Sequence, residues 1–156
     1  MAQQTAAGSK IYIGTTAAAT SQANFESDTF TEIGEVTNIG DFGKVYQDIP
    51  TNTINQRQTK HAKGAYDQGT LELQVYMDVT DSGQDAVQTA LDSDDEYNIK
   101  IILNDAPAGS PSQPTTYYFR ALVMSYRRSI ADVNSMITAS ISLAINTDPV
   151  EVATVS

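Results

Sequence analysis

Over residues 70–79 apolar and polar side chains alternate one for one, with Leu71, Leu73, Val75, Met77 and Val79 set against Glu72, Gln74, Tyr76 and Asp78. A period of two predicts a strand with one face in a core and the other in solvent. Asp81 and Ser82 follow, side chains that accept hydrogen bonds from the free amide N–H groups at a helix start, with Gln84 and Asp85 in the first turn. Ala86, Val87, Ala90 and Leu91 then make one apolar stripe, which predicts a short helix from Gly83 to Leu91. Such a helix is shorter than the ~12–15 residues that are marginally stable alone, so it has to pack on a sheet.

The remaining pattern is also β. A small, polar opening, MAQQTAAGS, reads as a mobile N-terminal arm leading to a short strand over 10–14. Residues 15–28 lack either apolar period and predict a surface loop, and 29–38 a second strand in which Gly34 marks a bulge or a close backbone approach. Residues 97–103 form a strand with Ile99, Ile101 and Leu103 toward the core, and the loop after it, 104–114, holds three of the five prolines. Residues 115–129 and 133–146 predict a long hairpin with a tight turn at 130–132. Its second strand puts Ile137, Ala139, Ile141, Leu143 and Ile145 inward and the uncharged Thr138, Ser140 and Ser142 outward. The tail from Asp148 is expected to add an edge strand or an arm. The fold class is therefore mainly β, two packed antiparallel sheets in a β-sandwich or partly open barrel, with one short α-helix.

Residues 40–69 break the pattern. After a β-like piece at 44–49 the chain is almost without apolar residues, and it gathers Lys44, Arg57, Lys60, His61 and Lys63 in a protein of net charge −10. Long loops inside a domain are functional or disordered. Two readings stand: a solvated hairpin loop, or a basic arm that docks on an acidic face of another subunit.

At 156 residues the chain is expected to be a single domain, 1–156, with the N-terminal arm and the loop 40–69 as its appendages. It has no cysteine, which removes disulfides and thiolate chemistry. Nine basic residues against nineteen acidic ones oppose adhesion to DNA or to an anionic membrane. With no apolar run near the ~18 residues of a span and no signal-like N-terminus, a soluble product of the cytoplasm is expected. Chemistry is sparse. His61 is the only histidine and lies in a polar loop. Asp78, Thr80, Ser82 and Gly83 imitate half of a calcium loop, but Thr89 stands where its glutamate belongs, so helix capping is the better reading. Gly40 and Gly43 lead into no helix that could cradle phosphate. Tyr118 and Tyr126, placed on one face with Arg120, Leu122 and Met124, suit packing more than a sugar platform. No enzyme activity, catalytic residue, metal or cofactor is expected.

The segment GAYDQGTLELQVYMDVTDSGQDAVQTALDSDDEYNIKIIL, with its turn at Gly64, Asp67 and Gly69, its strand, its Asp-Ser-Gly-Gln helix start and the long hairpin beyond, resembles the tail tube proteins of long-tailed, non-contractile bacteriophages. The resemblance implies a structural virion protein of the phage tail, made in the host bacterial cytoplasm. It further implies a homo-oligomer of hexameric rings, stacked into a tube that meets other tail proteins and passes viral DNA during ejection without holding it, with no membrane contact. On that reading Ile49, Asn55, Arg57, Lys60, Lys63 and Tyr66 are candidates for the subunit interface, and Thr31, Glu35, Thr138, Ser140 and Ser142 for the lumen. Two alternatives stand beside it: the tube subunit of a contractile tail or secretion machine, and a monomeric virion decoration or glycan-binding β-sandwich module.

Overall fold

The computed structural model describes residues 7–104 and 114–152; the first six residues of the expected arm, most of the proline-rich loop and the last four residues lie outside them. In chain order the elements are β1 (Lys10–Ile13), α1 (Gln22–Glu26), β2 (Thr31–Glu32), β3 (Val36–Asn38), β4 (Val45–Thr51), β5 (Lys60–Asp67), β6 (Thr70–Tyr76), α2 (Ser82–Leu91), β7 (Tyr97–Ile102), β8 (Thr116–Ser129), β9 (Thr138–Ile145) and β10 (Val150–Val152). Eight strands make one antiparallel sheet in the order β2-β1-β7-β8-β9-β6-β3, with β10 also beside β8, and β4 and β5 make a second, two-stranded sheet.

The connection between β2 and β3 dictates the shape. These are the outermost strands of the large sheet, yet only Ile33, Gly34 and Glu35 separate them in the chain. Such a link spans at most about 14 Å. The sheet must therefore curl until its edges nearly meet, giving a partly open barrel. Inside lie Ile11, Ile13, Leu71, Leu73, Val75, Ile99, Ile101, Phe119, Ile141 and Leu143, all buried. The alternation predicted for 70–79 is real to Tyr76, with Leu71, Leu73 and Val75 fully buried and their neighbours exposed.

Helix α2 plugs the seam. Val87 and Ala90 of its predicted stripe are fully buried, and its start lies so close to the link that a Cβ on Gly83 would overlap the Glu32 carbonyl. Asp81 is the N-cap, its carboxylate accepting from the Gln84 N–H at 3.0 Å and from the Gly34 N–H at 3.0 Å. The buried Gln84 side chain does the rest. Its Oε1 accepts from the Asp78 N–H (3.0 Å) and the Tyr126 hydroxyl (3.2 Å), while its Nε2 donates to the Tyr76 carbonyl (2.9 Å) and the Gly34 carbonyl (3.3 Å). The close approach expected at Gly34 is this one: a Cβ there would sit 2.9 Å from the Asp81 carboxylate.

Several expectations change. The single strand over 29–38 is two, broken where Glu35 takes a φ of 58°. The loop over 15–28 contains the five-residue α1, capped by Ser21, which buries Phe25 against Tyr118 with ring centroids 5.3 Å apart. Val79 is exposed rather than core, because the strand stops at Tyr76 and Asp78 turns the chain by accepting from the Thr80 N–H and hydroxyl. The tight turn at 130–132 is a longer loop to Ile137, since Asp132 accepts from the Asn134 N–H and the Ser135 hydroxyl; Val133 and Ile137 are exposed in consequence. Tyr118 and Tyr126 do not share a face, because the register of β8 against β9 shifts between Val123 and Ser125. Tyr126 joins the barrel core and Tyr118 a smaller cluster outside it, with Ala19 and Phe25.

A second polar knot ties 15–28 to the barrel. Buried Asn98 donates to Asp28 (2.8 Å) and to the Ala17 carbonyl (3.0 Å) and accepts from the Arg120 Nε (3.2 Å). Arg120 in turn pairs with Glu96 at 3.3 Å. Burial by itself would raise the Asp28 pKa, but hydrogen bonds from the Thr15 hydroxyl and N–H, from Asn98 and from the Thr29 N–H outweigh it and hold the carboxyl below its ordinary 3.8.

Two outcomes follow. Gln84→Ala takes a partner from three half-buried backbone groups and from the buried Tyr126 hydroxyl and should lower the unfolding free energy by about 3 kcal/mol in urea denaturation, whereas Gln88→Ala on the same helix should stay within about 1 kcal/mol. Because the folded-state pKa of Asp28 is depressed, its contribution is fully present above the unfolded value and is lost as pH falls through the folded one. Stability measured against pH should therefore separate the parent from Asp28→Asn at neutral pH and converge below the ordinary carboxylate range.

Candidate functional site

Two surfaces stand out from this scaffold. The first is the β4–β5 hairpin, which is the long excursion of the sequence. Residues of β4 and β5 are exposed almost throughout, Gly64 excepted. Large apolar side chains stand in solvent along it: Val45, Tyr46, Ile49 and Tyr66, with Ile54 at the tip fully exposed. Two-stranded hairpins without a packed face are marginal in water. Cross-strand contacts supply what order there is. Tyr46 and Tyr66 lie 5.3 Å apart, Lys44 stands 4.3 Å over the Tyr66 ring and Lys63 4.7 Å over Tyr46, and His61 pairs with Asp48 at 2.8 Å.

At the hairpin base one carboxylate gathers three side chains. Asp148 accepts from the Gln68 amide at 2.6 Å and from the Tyr66 hydroxyl at 3.5 Å, and it lies 3.9 Å from the Lys44 ammonium. Nothing in the sequence pointed to it, since Asp148 is 80 residues from Gln68 and sits in a tail with no apolar period. All six candidate interface residues, Ile49, Asn55, Arg57, Lys60, Lys63 and Tyr66, fall on this one hairpin.

The second surface is the outward face of β6, β9 and β8. Antiparallel register aligns Ser125, Ser142 and Glu72 in one row, Arg127, Ser140 and Gln74 in the next, and Ser129, Thr138 and Tyr76 in the third. The rows are rich in hydroxyl groups and carry one carboxylate and one guanidinium. The Ser142 hydroxyl donates to Glu72 at 2.8 Å. An open groove of about 470 Å³ runs here, lined by Glu72, Ser125, Arg127, Arg128, Ser129, Ser140 and Ser142, so two guanidinium groups stand against one carboxylate along it. Three of the lumen candidates, Thr138, Ser140 and Ser142, lie together on this face. The structure does not bring the other two to it: Thr31 is paired with the core residue Ile13 on β2, and Glu35 lies in the link between β2 and β3. Arg127 was missed because the shift after Val123 decides which way it points.

Among the described residues no helix is long and apolar enough to cross a membrane, and no group of three or more His, Cys, Asp or Glu is placed to hold a metal ion.

This architecture recurs in solved assemblies. Over 98% of its length the chain superposes on 98% of a chain in the sixfold-symmetrised baseplate of the anti-feeding prophage, with a TM-score of 0.66 and 12% identity. A chain of the sheath/tube terminator of the PVC extracellular contractile injection system matches with a TM-score of 0.65, 14% identity, and 98% and 99% of the two chains covered. The SPP1 tail tube matches with a TM-score of 0.59, 16% identity, and 92% of this chain against 75% of that one. The fold is shared with chains of phage-tail and contractile injection-system assemblies. No protein-family model and no curated protein sequence matches the chain.

Asp148 is the testable part of the hairpin base. Asp148→Ala should leave the unfolding free energy of the body within about 1 kcal/mol, as expected of exposed pairs, while amide exchange over residues 45–67 speeds up by about tenfold or more.

Proposed function

We propose that the chain is a structural tube subunit that assembles into hexameric rings stacked end to end, the tail tube of a non-contractile phage, through which DNA passes during ejection. One observation carries this reading: a hydroxyl-rich sheet face with few charges stands beside a protruding apolar hairpin that nothing among the described residues covers. A wall that carries a polyanion has to present few net cations, because each phosphate neutralised by Lys or Arg adds affinity through counterion release. Glu72 stands against Arg127 on this face, Arg128 also lines its groove while donating to Gln88, and the other groove residues are uncharged. The hairpin supplies what a conduit subunit needs for assembly, an element whose exposed Ile, Val and Tyr side chains gain burial only from a neighbour.

A second reading is favoured by a specific observation. The chains of the anti-feeding prophage baseplate and the PVC terminator match over essentially their full lengths, which supports the tube of a contractile machine. Particles carrying this protein separate the two readings, since a contractile machine surrounds its tube with a sheath. The monomeric decoration module is the competitor to both.

Negative-stain imaging of the concentrated protein should show tubes of uniform width built from sixfold rings; a persistent monomer at every concentration would leave the decoration module standing. Replacing residues 48–63 by an Asn-Gly turn, which closes a hairpin on its own, should preserve the circular dichroism of the barrel and abolish the tubes. Tubes that form normally from the shortened chain would exclude the hairpin as the assembly element.

A further inference from the structure

Between β1 and β2 the chain leaves the sheet over residues 15–28 and returns to where it left. One carboxylate joins the two ends, for Asp28 accepts from the Thr15 N–H at 2.9 Å and from the Thr15 hydroxyl at 2.6 Å. Asn98 of β7 donates to Asp28 and to the Ala17 carbonyl, and Arg120 of β8 donates to the Thr16 carbonyl at 3.1 Å. A surface loop closed at its ends in this way is an Ω-loop.

All of these ties lie at the base. Among the described residues no hydrogen bond or ion pair joins residues 18–27 to the barrel. Ser21 caps α1 by accepting from the Asn24 N–H, the Ser27 N–H donates to the Ala23 carbonyl, the Ser27 hydroxyl to the Asn24 carbonyl and the Gln22 amide to Glu26, every one of them local. What holds the body down is apolar. Ala19 and Phe25 are the only buried residues of 18–27, and the slot they fill over Tyr118 is completed by Phe30, Val150 and Val152. Phe30 lies beyond the base and is held by the sheet, with the Lys100 ammonium 4.7 Å from its ring and 4.3 Å from that of Tyr12.

We propose that residues 18–27 form a hinged flap, which lifts off Tyr118 while the barrel stays folded and swings on the base that Asp28 ties. Lifting it separates two apolar side chains from the sheet and breaks no hydrogen bond to the barrel, whereas opening the strands breaks their ladders and the core together. Closed, the flap shields Tyr118: burial, together with the Glu26 carboxylate, holds its phenol above the ordinary 10.0. Open, it turns the stacking face of Tyr118 to solvent, with Phe30, Val150 and Val152 around it. The outer wall of β7 and β8 thus has two surfaces, polar when closed and aromatic when open, and neither the seam at α2 nor the hydroxyl-rich face changes between them.

Thiol labelling reads the opening directly, because the chain has no cysteine of its own. Ala19→Cys puts a thiol under the flap, and Ala90→Cys puts one under α2 at a fully buried position. In the full chain without denaturant, Ala19→Cys should react with a maleimide at least about 100-fold faster than Ala90→Cys, as expected of a local against a global opening. Its rate should hardly change in low urea, where that of Ala90→Cys climbs. Adding Phe25→Ala should speed the labelling of Ala19→Cys by about tenfold or more, and Phe25→Leu, which serves if Phe25→Ala does not fold, should act in the same direction. Adding Asp28→Ala should speed Ala90→Cys alone, since the base is tied in the closed and open flap alike and comes apart only on unfolding. Equal rates and equal urea dependence for the two thiols would overturn the flap. An acceleration of Ala19→Cys by Asp28→Ala as large as that by Phe25→Ala would overturn the hinge.

Discussion

A barrel whose two edges are joined by three residues has a seam, and the seam is where the fold is most exposed to failure. The carbonyls of Gly34 and Tyr76 and the N–H groups of Gly34 and Asp78 meet at the seam and are paired by side chains. A buried polar group left unpaired costs on the order of 1–3 kcal/mol, so four such groups would consume a large part of a domain's marginal stability. Gln84 resolves this with one side chain. A primary amide offers two donor hydrogens and an acceptor oxygen with two lone pairs, and here all four are used: two carbonyls, one N–H and one hydroxyl. Asp81 adds the Gly34 N–H while capping the helix that delivers Gln84. Helix α2 is thus both lid and connector, and Gly83 is fixed because no side chain fits between it and the Glu32 carbonyl.

On the side away from the seam β8 ties the sheet together, for its first residues pair with both β7 and β10 and the rest of its fourteen residues with β9. Its register shift after Val123 redirects the side chains that follow. Before the shift Phe119, Ala121 and Val123 are buried in the barrel core; after it Tyr126 is, while Ser125, Arg127 and Ser129 continue the hydroxyl rows of β9 and β6. A bulge in one strand therefore builds the flat polar face and the inner network at once, since the same shift that exposes Arg127 brings the Tyr126 hydroxyl to Gln84.

What could be read from the sequence was whatever local periodicity encodes. Leu71, Leu73 and Val75, the outward Thr138, Ser140 and Ser142, and the helix start at Asp81 all follow from alternation or capping within a few residues. The stripe of α2 was legible for the same reason. The missing pieces are non-local. Glu35 breaks a strand because its neighbours must cross the barrel seam. Tyr118 and Tyr126 part company because of a register shift that their own spacing does not announce. Val133 looked like a strand residue because the turn made by Asp132 is written in a single carboxylate. Thr31 has the polarity of a wall residue, but pairing with Ile13 decides its side of the sheet, and pairing is set by strands distant in the chain.

The charge of the molecule is best understood by where it is not balanced. The hairpin, with four cations and two carboxylates, is a basic element in a protein of net charge −10, and the groove on the outward face of β6, β8 and β9 sets Glu72 against Arg127 and Arg128. The excess of acid therefore lies elsewhere, much of it on α2 and the turns flanking it, where Asp78, Asp81, Asp85, Asp92, Asp94, Asp95 and Glu96 cluster. Uniform negative charge would make every pair of copies repel. Segregated charge confines attraction to particular pairs of surfaces, and because like-charged juxtapositions cost energy it also rejects wrong orientations. A polar sheet face, a basic hairpin and an acidic helix end thus give one barrel three surfaces of different charge.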